Sequence, residues 1–423
     1  MESEMKVAIH TLGCKLNQAE SELLARQFAE AGYTIVSGDA ADIHVLNTCT
    51  VTHIADRKSR HVVRLWRKRN PQALIVATGC YAERAPQELA QVGASLIIGN
   101  EEKMHLLDFM KVEPATVARC SAGKLVKDDV SRVRSFIKIQ DGCNDSCAYC
   151  IVPQVRGREH CLPMADVINQ VKEKVAAGYK EVVFTGTKIG DYRQKGVNLK
   201  ELVEQVLAVT GVERLHLSSL QPQDISTDLL SLWQDPRLCR HFHLALQSGS
   251  DSVLRRMRRH YSVDDYRQAL SLIRKTMPDV AITTDIMVGF PGESIEEFEE
   301  SYRFCKEIDF ANIHVFSYSP RPGTLAARMP EQVSEKLKKE RSQRMLRLAK
   351  DSARRFCKRF LGQDMTVLWE KEVATGSGIY SGFSDNYIRV FTESSETLAN
   401  QFRSVYLVRL HNHGIWGDVR GED

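Results

Sequence analysis

The sequence predicts an α/β protein in three parts: a doubly wound parallel sheet, a barrel of six β-α units, partial or full, and a small antiparallel β-barrel. Three observations predict it. Short apolar runs alternate with helix-periodic runs up to about residue 110, and the alternation recurs six times between about residues 130 and 330. The last 60 or so residues are β-rich, punctuated by Gly and free of helical periodicity.

In the first part, "KVAIHTLGC", "ADIHVLNTCTV" and "ALIVATGC" read as strands. "ESELLARQFAEAGY", with Leu23, Leu24, Phe28 and Ala31 near helical spacing, separates the first two, and the basic run "DRKSRHVVRLWRKRN" (56–70) separates the second and third. Strands separated by helices pair in parallel. The polar, aperiodic "KLVKDDVSRV" reads as a linker. In the second part the strands are "RSFIKIQ", "EVVFTGT", "RLHLSSL", "HFHLALQSGS", "AITTDIMVGF" and "NIHVFSYSP". The helix "ADVINQVKEKVAAGY" sets Val167, Val171 and Val175 on one face, with Gly178 as a stop. Six such units favour a barrel over a flat sheet. A second basic run (336–360) precedes "MTVLWEK", "GIYSGFSDNYIRVFT" and "SVYLVRLHNHGIWGDV". These suit a small barrel of the kind used for single-stranded nucleic acid, or a stability or dimerisation module. The boundaries are set at 1–112, 129–357 and 358–423.

Of the 423 residues 43% are hydrophobic and 26% charged, which suits a soluble globular protein. The N-terminal residues lack an apolar signal region and no run is long enough to span a membrane, so a cytoplasmic location is expected. Eleven cysteines without a secretion signal argue for metal or redox use over disulfides. The net charge of +4 says little, but two basic helices point to either solvated faces or a polyanion partner.

The loop "DGCNDSCAYCIVP" holds Cys143, Cys147 and Cys150 as C-x3-C-x2-C, one ligand short of a closed tetrahedral site. Three thiolates can hold three irons of a 4Fe-4S cluster and leave the fourth open. A zinc site would need a fourth ligand, for which His160 and Cys161 are nearest. The loop follows the first barrel strand, at the end where such barrels place their chemistry. Other strand ends are small or polar: Thr185-Gly186-Thr187, Ser218-Ser219, Gln247-Ser248-Gly249, and Asp285 with Gly289.

The first part repeats one device: Cys14, Cys49 and Cys80 each close an apolar strand, at intervals of 35 and 31 residues. Parallel strands of neighbouring units end at one sheet edge, so the three thiols can converge there. The alternative is three buried small hydrophobes. Cys120, Cys161, Cys239, Cys305 and Cys357 show no grouping.

C-x3-C-x2-C with Tyr149 before the last Cys resembles the cluster loop of radical S-adenosylmethionine (SAM) enzymes. Together with "TLGCKLNQAES", "NTCTVT", "ATGCYAER", "HLALQSGSDSVLRRMRRHY", "TDIMVGFPGE" and "FSYSPRPGT", it resembles the radical SAM methylthiotransferase family over essentially the whole chain. The resemblance implies a (βα)6 partial barrel, a TRAM-like C-terminal RNA-binding domain, and replacement of a C–H bond by C–S–CH3. It implies two 4Fe-4S clusters. One, on Cys143, Cys147 and Cys150, would bind SAM and reduce it to methionine and a 5′-deoxyadenosyl radical. The other, on Cys14, Cys49 and Cys80, would carry the sulfur. Tyr149, Thr185, Gly186, Ser218, Gln247 and Asp285 would contact SAM. The implied partners are tRNA, through its anticodon loop, and an electron donor such as flavodoxin or ferredoxin. "GCKLNQAES" most resembles the branch acting on threonylcarbamoyladenosine at tRNA position 37, with Lys15, Asn17 and Gln18 near the modified base. The branches acting on isopentenyladenosine and on a ribosomal-protein aspartate are the alternatives. A non-catalytic iron–sulfur carrier or a structural RNA-binding protein would leave the six-unit barrel or the six ordered cysteines unexplained.

Overall fold

The computed structural model describes residues 5–38, 40–110 and 133–421. The expected linker lies outside them except for Val133, as does Cys120. In the first part β1 (Lys6–Thr11), β2 (Thr34–Ile35), β3 (Ile43–Thr48), β4 (Leu74–Gly79) and β5 (Leu96–Ile98) form one sheet in the order β2-β1-β3-β4-β5. Every pairing is parallel. Successive side chains of a strand face opposite sides. Leu46, Ile75 and Ala77 pack with Val63 and Trp66 of α2 (His53–Arg69). Ile43, Val45 and Val76 pack with Leu24 and Phe28 of α1 (Lys15–Glu30). The sheet is doubly wound, as the alternation predicts.

The second part holds β6 (Arg134–Lys138), β7 (Glu181–Thr185), β8 (Arg214–Leu217), β9 (His241–Leu244), β10 (Ala281–Val288) and β11 (Asn312–Ser317). All are parallel, and β8 reaches β9 through its continuation Ser219–Leu220. The break at Ser218 thus joins two half-sheets into six consecutive strands. Among the described residues β6 and β11 do not pair, so the barrel is partial. Unpaired edges need cover. Here α1 of the first part packs along β6, and the long helix Glu335–Lys358 packs along β11. That helix carries the second basic run, for which the sequence predicts either a solvated face or a polyanion partner. In the structure Arg341 forms a buried pair with Glu293 at 2.5 Å, and Arg344 and Arg355 pair with Glu299 and Asp309. Part of its charge is therefore spent inside the fold.

The third part is a closed barrel of β12 (Asp364–Glu372), β13 (Ile379–Ser384), β14 (Arg389–Glu393), β15 (Phe402–His411) and β16 (Gly414–Val419). It is antiparallel except where β14 meets β16 in parallel. Its core surrounds Trp369. The turn after β13 docks toward the amino-terminal ends of β7, β8 and β9. Tyr387 stacks on His241 with ring centroids 4.8 Å apart, lies 4.2 Å from His216, and donates its hydroxyl to Glu181. Asp385 pairs with Arg240 at 2.5 Å, and the Arg214 guanidinium donates to the Phe383 carbonyl. This part plugs the bottom of the core barrel. Replacing Tyr387 by Ala should cost about 3–5 kcal/mol, the usual range for a large buried aromatic. Denaturant unfolding measures it, and an unchanged midpoint would mean the plug carries no stability.

Candidate active site at the carboxyl ends of the strands

Cys14, Cys49 and Cys80 follow β1, β3 and β4, three adjacent strands of the first sheet. Thr48 pairs with Gly79, so Cys49 and Cys80 leave the sheet side by side. Gly13, at φ +112°, brings the Cys14 turn against Cys49: a Cβ on Gly13 would lie 2.7 Å from the Cys49 Cβ. Gly79, at φ +93°, is as tight against the Thr48 backbone. No residue with a side chain fits either position without strain. The Thr48 hydroxyl donates to the Thr78 carbonyl at 2.6 Å and accepts from the backbone N–H groups of Tyr81 and Ala82. It thereby fixes α3 (Cys80–Arg84), which opens on the third cysteine. The three thiols lie within electrostatic range of one another; burial raises Cys14 and pushes Cys49 up to about 12.

The second loop is pinned from both sides. The Ala148 N–H donates to the Met257 carbonyl, the Ala148 carbonyl accepts from Ala326, and Cys143 N–H donates to the Gly157 carbonyl. Arg259 donates to the Cys147 Sγ at 3.2 Å, and the Asp145 N–H donates to the Cys143 Sγ at 3.4 Å. Burial pushes the Cys150 thiol up to about 12 and raises the neighbouring Tyr149 phenol. Among the described residues no three His, Cys, Asp or Glu side chains are grouped tightly enough for a single metal ion. Separated, half-buried thiols, two of them met by donors, fit a cluster, where each sulfur takes its own iron. An iron's charge reverses the burial effect on a coordinating thiol.

The two sites touch. Cys80 packs with Ile151 and Val155, one and five residues after Cys150. Asn100 donates to the Val155 carbonyl at 2.6 Å and lies 3.7 Å from the Cys80 Sγ. Arg156, next in line, reaches into the first part: it donates to the Asn17 Oδ1 at 2.6 Å, to Glu20 and to Asp141. Lys103 and Lys138 complete this buried group. Burial alone would raise Glu20, but Lys103, Arg156 and Lys138 hold it well below the usual carboxylate range. Asp141 is lowered likewise by Arg156 and Lys138. Asn17, expected near the substrate, is instead consumed here. Its amide also donates to the carbonyls of Leu12 and Thr48, which shapes the Cys14 turn.

The barrel interior receives the other expected residues. Thr185 is buried and its carbonyl accepts from the Ile139 N–H. A Cβ on Gly186 would lie 2.7 Å from the Gln140 carbonyl oxygen. The Ser218 Oγ is buried with no partner among the described residues, an orphaned polar group free to meet a ligand. Gln247 holds a left-handed backbone, φ +69°, a strain typical of functional positions. Asp285 accepts from His243 at 3.1 Å, and His243 meets the Ser219 hydroxyl at 2.8 Å. Lys15 follows Cys14 and enters this interior, within electrostatic range of His216, His241 and His314. Burial, with Arg134 nearby, lowers its ammonium to about 8. Gln18 is half-buried on α1, one turn after Cys14.

Comparison with known proteins agrees with this arrangement. Residues 137–305 match the Radical SAM superfamily and residues 6–99 match Uncharacterized protein family UPF0004. The chain is 36% identical to the Threonylcarbamoyladenosine tRNA methylthiotransferase MtaB of Bacillus subtilis (strain 168), over 95% of this chain and 94% of that protein. The MtaB of Thermotoga maritima is also 36% identical, over 97% and 96%. The chain belongs to the radical SAM methylthiotransferase family. Within it lie also relatives named tRNA-2-methylthio-N(6)-dimethylallyladenosine synthase, such as that of Endomicrobium trichonymphae, 32% identical over 98% of this chain and all of that protein. Among solved structures, the radical SAM methyltransferase TsrM from Kitasatospora setae shares the fold at TM-score 0.54 and 12% identity, over 74% of this chain and 73% of that one.

A radical SAM methylthiotransferase takes a 4Fe-4S cluster and SAM. Reading the sequence missed Arg156, Arg259, Asn100 and Glu20, because one Arg or Asn with distant partners has no spacing to reveal it. Arg156 can be tested through its charges. Removing one partner of a buried charge group costs about 3–5 kcal/mol. Glu20 and Asp141 have folded values below their ordinary ones, so their stabilisation is complete at neutral pH and disappears as pH falls through the folded values. The stability deficit of Arg156→Ala should therefore be largest near pH 7 and narrow in acid. A deficit independent of pH would mean that the guanidinium acts only by packing.

Proposed function

We propose that this chain is a cytoplasmic tRNA methylthiotransferase converting threonylcarbamoyladenosine at position 37 to its 2-methylthio form. Cys143, Cys147 and Cys150 hold the cluster that takes SAM, with Tyr149, Thr185, Gly186, Ser218, Gln247 and Asp285 around it. Cys14, Cys49 and Cys80 hold a second 4Fe-4S cluster. When bound, these groups supply the radical that abstracts hydrogen and the sulfur and methyl groups of the product; electrons come from a donor such as flavodoxin or ferredoxin. The protein's own part is positional. Arg259 puts positive charge on Cys147. Asn17 and Thr48 shape the turns on which Cys14 and Cys80 sit. The contact of Cys80 with Ile151 and Val155 keeps the two cysteine sets in fixed relation.

One observation carries the choice of nucleoside: the Lys15 ammonium, one residue after Cys14, is buried within electrostatic range of polar groups, among them Glu181, His241 and His314. A threonylcarbamoyl group brings a carboxylate and hydrogen-bonding atoms to such surroundings. An isopentenyl group would leave buried polar atoms unsatisfied, at about 1–3 kcal/mol each. Mass spectrometry of nucleosides from a deletion strain, with and without the gene restored, tests this. The methylthio mark should return on threonylcarbamoyladenosine; its return on isopentenyladenosine instead would overturn the assignment.

Two further outcomes are expected. With Cys14, Cys49 and Cys80 replaced by Ala, reconstituted protein should still form 5′-deoxyadenosine from SAM but make no methylthio product, and its iron should fall by about half. Undiminished iron would sink the second cluster. Burial, with Arg134 nearby, lowers the Lys15 ammonium to about 8, so its charge should be lost as pH rises through that value. The wild-type kcat/KM for tRNA should thus fall as pH rises through 8, while Lys15→Gln gives a low value without that step.

A further inference from the structure

We infer that the exposed face of α2 receives the sugar–phosphate backbone of the anticodon stem-loop, an inference that rests on the tRNA reading above. The structure divides the basic run of this helix in two. Arg60 is bound inward by Tyr81 and Glu88, and Arg67 by the carbonyls of Pro71, Ala73 and Gly93. Arg57, His61, Arg64 and Lys68 remain exposed. Their spacing of i, i+4, i+7 and i+11 sets them in one stripe along the helix. None has an ion pair among the described residues, and Asp56 of the same helix is buried against Arg84 and Arg321. Four cationic or ionisable groups in line, without internal acids, complement a phosphate chain.

Position strengthens the inference. The N-cap of α2 is Thr52, three residues after Cys49, and His53 is tied to Ser319 of the core at 2.9 Å. Between the cysteine and the stripe, Val51 and Ile54 are 56% and 45% exposed, an apolar lip suited to an unstacked base. Leu12, just before the Cys14 turn, lines a hollow of about 300 Å³ with Arg57, Lys58 and His61. The C-terminal barrel, by contrast, docks on the opposite ends of the core strands. A strand of this length spans ~17–20 Å, so backbone contacts next to the reacting base must come from elsewhere.

The test uses full-length, reconstituted protein with the triple substitution Arg57→Gln, Arg64→Gln and Lys68→Gln. Fluorescence anisotropy with tRNA across a salt series should show weaker binding, and the log–log salt slope should fall by roughly 2, at ~0.7–0.9 per phosphate contact. Formation of 5′-deoxyadenosine should not change. A photo-crosslinking residue placed at His61 in otherwise wild-type protein should attach to the anticodon stem-loop. An unchanged salt slope, or crosslinks confined to another region of the tRNA, overturns the inference. Intact tRNA binding with lost reduction by flavodoxin also overturns it, since the face would then serve an acidic protein. Failure of wild-type protein to bind tRNA at all would instead overturn the reading on which the inference rests.

Discussion

Two cysteine sets from different parts of the chain must hold one geometry, and the buried charges around Arg156 are what hold it. Arg156 and Asp141 come from the core, Glu20 and Lys103 from the first part, and none is free to move without leaving a charge unpaired. Such groups contribute less to net stability than apolar packing of equal volume would, because each ion first loses its water. They contribute orientation. An apolar interface tolerates sliding, whereas the fork of Arg156 on Asn17, Glu20 and Asp141 accepts one arrangement. Since Asn17 also shapes the Cys14 turn, the same contact sets both the distance between the halves and the local form of one ligand loop.

The core barrel separates its tasks by strand end. At the carboxyl ends stand the thiols, the strained Gln247 and the orphaned Ser218 hydroxyl. At the amino ends stand Arg134, Glu181, Arg214 and Arg240, paired with one another or with the C-terminal barrel. The same division between chemistry and stability holds across α/β barrels. It explains why the C-terminal barrel is more than a tethered module: its Tyr387 packs on His216 and His241, toward the amino ends of the core strands and away from the loop of Cys143, Cys147 and Cys150.

Much of this was legible in the sequence, and what was not shares a cause. Every strand of the core could be read from its apolar residues: β7 and β8 are buried throughout, and the edge strands β6 and β11 still alternate more buried with less buried positions. Cys14, Cys49 and Cys80 could be grouped because their intervals match a βαβ unit, and the sheet order then brings β1, β3 and β4 together. Residues acting through one distant partner left no trace. Arg156 looks like any surface Arg after a loop, and Tyr387 like any aromatic in a turn. Asn17 stands two residues from Lys15, and two helical positions, about 200°, turn them to different surroundings. The basic runs misled in a similar way: composition counts charges, and only tertiary structure shows that Arg60, Arg67 and Arg341 point inward.

The placement of Tyr387 has a bearing on biosynthesis. It lies in the last tenth of the 423-residue chain, yet its ring covers His216 and His241, which are made long before it. During translation, at about 5–20 residues per second, the core emerges first and waits with its floor open. Closure comes only when the final strands have left the ribosome and wrapped around Trp369. A prematurely terminated polypeptide would carry all six cysteines and still expose a polar shaft to water. Completion of the message and closure of the amino ends of the core barrel are therefore one event.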